Sequence, residues 1–80
     1  MLEKQSSSLI TLAHTKMPYG KYKGYYLVDI PESYYVWYRN KGFPPGSFGI
    51  LLASMYEIKL NGLEDLIRKV KKNYPAPIKK

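Results

Sequence analysis

Eighty residues make one domain, residues 1–80, with no room for a second core. Thirteen lysines and arginines against six acids leave a net charge of +7, and 15% of the residues are aromatic, enough to build a core from few side chains. The absence of cysteine excludes disulfides, thiolate metal sites and cysteine nucleophiles, and suits a reducing, cytoplasmic compartment.

The N-terminal residues show no basic region followed by an apolar one, which argues against a secretory signal. No stretch approaches the about 20 apolar residues that span a bilayer, so no membrane role is expected. Ser6, Ser7 and Ser8 offer N-caps for a short helix in which Leu9, Leu12 and Ala13 share a face.

The segment from Met17 to Ile30 is predicted to be a β-hairpin. Pro18 suits an edge position, Gly20 and Gly24 suit a tight turn, and Tyr25-Tyr26-Leu27-Val28 has strand composition. Asp29 and Glu32 have capping-box spacing around Pro31 and predict a helix that Gly42, Pro44 and Pro45 terminate. Tyr34, Trp37 and Tyr38 recur at helical spacing and are assigned to its buried face. Tyr22, Tyr35 and one of Tyr25 or Tyr26 are left for the surface.

A second helix is predicted from about Ser47 to Leu60, with a stripe of Phe48, Leu51, Leu52 and Met55 that Ile50 and Ala53 widen. Asn61-Gly62 breaks it, with Asn61 as a cap for the next helix. That last helix carries Leu63, Leu66, Ile67, Val70 and Tyr74 on one face. Acids fall in its first turn and lysines in its last, as the helix dipole favours. The expected fold is therefore α+β: a short N-terminal helix, a β-hairpin, then three helices. The ordered core is expected over 9–74, with frayed tails at 1–6 and 75–80.

Catalytic chemistry is poorly supplied. His14 is the single histidine, too little for a metal site without cysteine, and the helix ends account for the carboxylates. No catalytic residue, metal or cofactor is expected. Gly20-Lys21-Tyr22-Lys23-Gly24 lacks the spacing of a nucleotide-binding phosphate loop and precedes a strand. It is better suited to a binding tip, where Lys21 and Lys23 neutralise phosphates, Tyr22 stacks on a base and Lys16 adds charge. Arg68, Lys71 and Lys72 head a C-terminal run of six cations without an acid, a second candidate phosphate strip.

Several segments together resemble a small bacterial family of unknown function, the quorum-sensing-regulated virulence factor family. They are Met17-Pro18-Tyr19-Gly20-Lys21-Tyr22-Lys23-Gly24, Leu27-Val28-Asp29-Ile30-Pro31, Tyr35-Val36-Trp37-Tyr38, Lys41-Gly42-Phe43-Pro44 and the run from Tyr56 to Glu64. The resemblance covers about residues 9 to 67. Where the family carries phenylalanine before the first glycine, this chain has Tyr19. Similar turns resemble small domains appended to some proofreading-type exonucleases, which implies a role near nucleic acid. The resemblance brings no catalytic residues.

The expected function is a non-enzymatic accessory or regulatory module that binds nucleic acid through Lys16, Lys21, Tyr22, Lys23, Arg68, Lys71 and Lys72. A protein-interaction module with an acidic partner or a second copy, using an aromatic surface, is the alternative.

Overall fold

A computed structural model describes residues 9–75. The expected N-caps Ser6 to Ser8, and the tails apart from Pro75, lie outside the described residues. Among the described residues four α-helices carry the fold: α1, described over 9–14; α2, Glu32–Lys41; α3, Gly46–Leu60; and α4, Glu64–Asn73. A single 3-10 turn, Leu27–Asp29, precedes α2. No helix among the described residues is long and apolar enough to cross a membrane.

The expected β-hairpin, and with it the α+β class, is not formed: there is no strand among the described residues. One isolated antiparallel bridge, Lys16 to Tyr26, stands in its place. The loop between α1 and the 3-10 turn does double back. Met17 N–H donates to the Tyr25 carbonyl at 2.9 Å, Gly24 N–H to Met17 at 2.8 Å, and Leu27 N–H to Thr15 at 3.1 Å. Gly20, at φ 81°, lets the chain turn so that Lys23 N–H reaches its carbonyl.

Two features stop the ladder from growing. Pro18 has no N–H to extend it in one direction. In the other, Leu27 and Val28 are adjacent and both buried. A strand would point them to opposite faces, whereas a 3-10 turn lets both enter one core.

That core gathers Leu12 and Ala13 from α1, Met17 from the loop, and Leu27, Val28 and Ile30 from the turn. Tyr35 of α2, Leu52 and Met55 of α3 and Ile67 of α4 complete it. α2 packs on α3, and the 3-10 turn lies against α3 and α4. The centre of α2 corrects the sequence reading. Tyr35, assigned to the surface, is 0% exposed, and its hydroxyl donates to the Leu27 carbonyl at 2.7 Å. Trp37, assigned to the core, is 52% exposed, while Tyr34 and Tyr38 are half-buried.

The helix ends follow backbone geometry more than side-chain caps. Asp29 and Glu32 form no capping box; Pro31 stands at the N-cap of α2 with no side-chain bond. Asp29 belongs to the 3-10 turn and pairs with Arg68 instead, at 3.2 Å. Gly42 ends α2 as expected, at φ 100°, and its N–H bonds the Tyr38 and Arg39 carbonyls.

Asn61 does not cap α4. Its side-chain amide donates back to the Glu57 carbonyl at 2.9 Å, closing α3. At the start of α3 the Pro44 carbonyl lies against Gly49, where a Cβ would collide with it. Ile50, expected to widen the buried stripe, is 67% exposed.

Candidate functional site

Two clusters, each joining the loop between α1 and α2 to a helix, hold the side chains of interest. The first centres on Tyr26. The Lys16 ammonium lies 5.0 Å from the centre of its ring and that of Lys71 only 4.0 Å away. Fifty-five positions separate the two lysines in sequence. The bridge at Tyr26 fixes the first, and the last turn of α4 supplies the second. The C-terminal basic strip thus reaches the same ring as the loop. Beside it, Arg68, Lys71 and Lys72 line a hollow floored by Val28 and Asp29.

Arg68 is the most committed of these cations. It contacts Asp29 at 3.2 Å and Asp65 at 3.8 Å, and lies 3.5 Å from the Val28 carbonyl. The remaining ion pair among the described residues joins Lys59 to Glu64 at 3.8 Å. Lys16, Lys21, Lys41, Lys71 and Lys72 therefore face no carboxylate partner among the described residues. Cations in excess of the neighbouring acids, here Asp29 and Asp65 beside Arg68, raise the local potential for anions.

The second cluster is an aromatic groove between the loop and the outer face of α2. Tyr19, Gly20, Lys21, Tyr34, Trp37, Tyr38, Lys41 and Gly42 line a space of about 630 Å³. Its walls are coupled rings. Trp37 stacks on Tyr34 with centroids 5.6 Å apart and planes 29° from parallel, and Tyr38 meets both edge-on. The Tyr19 and Tyr38 hydroxyls are hydrogen-bonded at 2.9 Å. That bond, with burial adding to it, pushes the Tyr38 hydroxyl up to about 12. Burial also raises Tyr34, reinforced by the neighbouring Tyr19 and Tyr22. These hydroxyls stay protonated at neutral pH, and no acid lines the groove. Lys41 holds its ammonium 5.2 Å from the Trp37 ring.

The predicted binding residues divide between these clusters. Lys16, Arg68, Lys71 and Lys72 gather around Tyr26 and the adjoining hollow. Lys21 borders the groove and lies 5.5 Å from the Tyr22 ring. Lys23 is exposed in the turn and lines neither.

Tyr22 corrects the picture of an outward tip. It is half-buried, edge-on to Tyr34 at 4.9 Å and to Tyr25 at 5.4 Å, so it buttresses the groove. The sequence reading missed Lys41, Tyr19 and the exposed Trp37. The spacing of Lys41 four residues after Trp37 was a signal for the first, since such pairs meet on a helix surface. Among the described residues, no group of three or more acidic or histidine side chains could hold a metal.

Comparison with known proteins adds a family but no measured fold. Residues 5–70 match the family described as "Putative quorum-sensing-regulated virulence factor". The uncharacterised protein YpeB of Escherichia coli K12 is 42% identical over 69 residues, covering 85% of this chain and 96% of that relative. YpeB of Escherichia coli O157:H7 matches to the same extent. No solved structure matches. With most of its length inside that match, the chain belongs to the quorum-sensing-regulated virulence factor family.

Proposed function

We propose that this protein is a non-enzymatic accessory module that binds nucleic acid, with the Tyr26 face as its phosphate contact. The observation that carries the reading is the convergence of Lys16 and Lys71 on one ring, with Lys72 beside them. The Tyr26 ring draws both ammonium groups to one place, so less side-chain freedom is lost when a phosphate arrives. The net charge of +7 adds long-range attraction. Arg68, engaged by two aspartates, serves as a brace for the hollow.

Fluorescence anisotropy with labelled single- and double-stranded oligonucleotides at several salt concentrations tests this. Binding should weaken steeply with salt. Replacing both Lys16 and Lys71 with alanine should flatten the slope of log K against log salt by about 2, one for each lost phosphate contact. An absence of salt-sensitive binding at tens of micromolar protein would sink the reading.

A protein-interaction module is the second reading. It is favoured by a hollow that the exposed Ile50 lines with Phe43, Ala53 and Tyr56, rimmed by Arg39, Ser54 and Glu57. Ile50→Lys should then abolish self-association in light scattering while leaving oligonucleotide binding intact.

A further inference from the structure

We infer that the groove between the loop and α2 is a nucleobase subsite, which makes the preferred ligand single-stranded nucleic acid. The inference rests on the nucleic-acid reading above and adds a second, chemically different contact to it. At the Tyr26 face two ammonium groups already lie over the ring, so what it presents is chiefly charge, which reads a backbone and cannot tell one strand from two. The groove offers ring faces. A base inside a duplex has both of its faces covered by neighbours, so only an unpaired or terminal base can enter.

Size, shape and charge agree on the occupant. The space of about 630 Å³ falls within the range of small-ligand sites and holds a base with its sugar. Its walls are the stacked Trp37–Tyr34 pair and the edge of Tyr38. Lys21 stands on the loop side and Lys41 at the end of α2, where they can meet the phosphates flanking an inserted base.

The same lysines argue against an organic cation, which otherwise suits a cage of aromatic rings. An uncharged apolar segment would gain nothing from either ammonium group. An aromatic ring joined to anionic groups satisfies the whole lining.

Binding involves a defined exchange. Lys41 now holds its ammonium over the Trp37 ring. An exposed cation over a ring is held less strongly than a stacked base, and Lys41 is exposed. The base takes the ammonium's place over Trp37, and the freed ammonium moves to a phosphate. The Tyr19–Tyr38 hydroxyl bond keeps the opposite wall in position during the exchange.

Trp37 is the chain's single tryptophan, so its emission reports on this groove without a label. The intact protein is titrated with a single-stranded oligothymidylate, an abasic strand of equal length and charge, and a duplex of the same length. The single strand should quench Trp37 and bind at least about tenfold tighter than the abasic strand, as one stacked base allows. The duplex, which offers the groove only its end pairs, should bind through salt-sensitive contacts with far less quenching than the single strand. Trp37→Ala should remove the tenfold preference, and Lys41→Ala should lower the salt slope by about 1 while keeping the quench.

Equal affinity for the base-containing and abasic strands, with Trp37 emission unchanged, overturns the subsite and leaves the phosphate-binding reading standing. Equal quenching by duplex and single strand overturns the single-strand preference. Failure of all three ligands to bind overturns both readings.

Discussion

Lys71 holds its ammonium 4.0 Å from the centre of the Tyr26 ring, joining the last turn of α4 to the loop that follows α1. The contact has a structural value and a binding value, and one substitution separates them. Lys71→Met keeps a similar apolar stem and removes the charge. It should cost about 0.5–1 kcal/mol in urea unfolding, the worth of a cation on a partly exposed ring. It should also reduce the salt slope of oligonucleotide binding by about 1. A loss of binding with an unchanged slope would place the phosphate contact elsewhere.

Tyr35 governs the alkaline limit of stability. Burial, with Tyr34 adding to it, raises its hydroxyl well above the ordinary value of 10.0. The unfolded chain therefore ionises first. The contribution is constant below about pH 10 and is lost as pH rises beyond it, because ionisation then favours the unfolded state. Tyr35→Phe should cost about 1 kcal/mol at pH 7 by removing the shorter of the two bonds to the Leu27 carbonyl, which keeps the 3.3 Å bond from Ile30 N–H. It should also make the decline above pH 10 shallower. Urea midpoints measured from pH 7 to 11 in both proteins check this, and parallel curves would contradict it.

This tyrosine also marks how far the sequence could be read. Tyr34 to Tyr38 is an unbroken run of large apolar residues, so more than one face fits the helical period equally well. The choice depended on which ring could reach a buried carbonyl, and the Leu27 carbonyl lies within reach of Tyr35 where the chain before α2 curls into a 3-10 turn. The same turn explains the missing hairpin, since strand composition at Tyr25 to Val28 cannot reveal that two adjacent residues enter one core. The end of α2 and the start of α3 were legible because Gly42, Pro44 and Pro45 act locally. At the site, the charged residues were visible as types. Their division between two clusters depended on where α4 packs.

Gly49 is constrained by space, not by backbone angle. A methyl group there would meet the Pro44 carbonyl, which the preceding proline-rich loop cannot easily withdraw. Gly49→Ala should cost about 3 kcal/mol, the upper end of the overpacking range, despite alanine's better helix propensity. Ser47→Ala, on the exposed first turn of the same helix, should stay within about 0.5 kcal/mol. Thermal melts of the two variants side by side decide it; equal melting temperatures would refute the clash.

Lys59 is 8% exposed, and its ammonium donates to the Val28 carbonyl at 2.8 Å. Burial lowers its affinity for the proton, and Glu64 partly restores it. Lys59→Ala should destabilise the domain by about 1–3 kcal/mol by removing a charge-assisted bond to a buried acceptor. Chemical denaturation at neutral pH measures the loss, and a variant as stable as the parent would show the bond to be dispensable.

The Val28 carbonyl, shared between Lys59 of α3 and the more distant Arg68 of α4, has a kinetic consequence as well. A single peptide oxygen ties together three segments that are separate in sequence. α4 cannot peel away without withdrawing one of its cations from that oxygen and breaking the Arg68–Asp29 pair. The turn, the end of α3 and the middle of α4 should accordingly open as one unit. Their amides should exchange with deuterated solvent at a common rate, slower than those of the loop carrying Lys21 and Lys23.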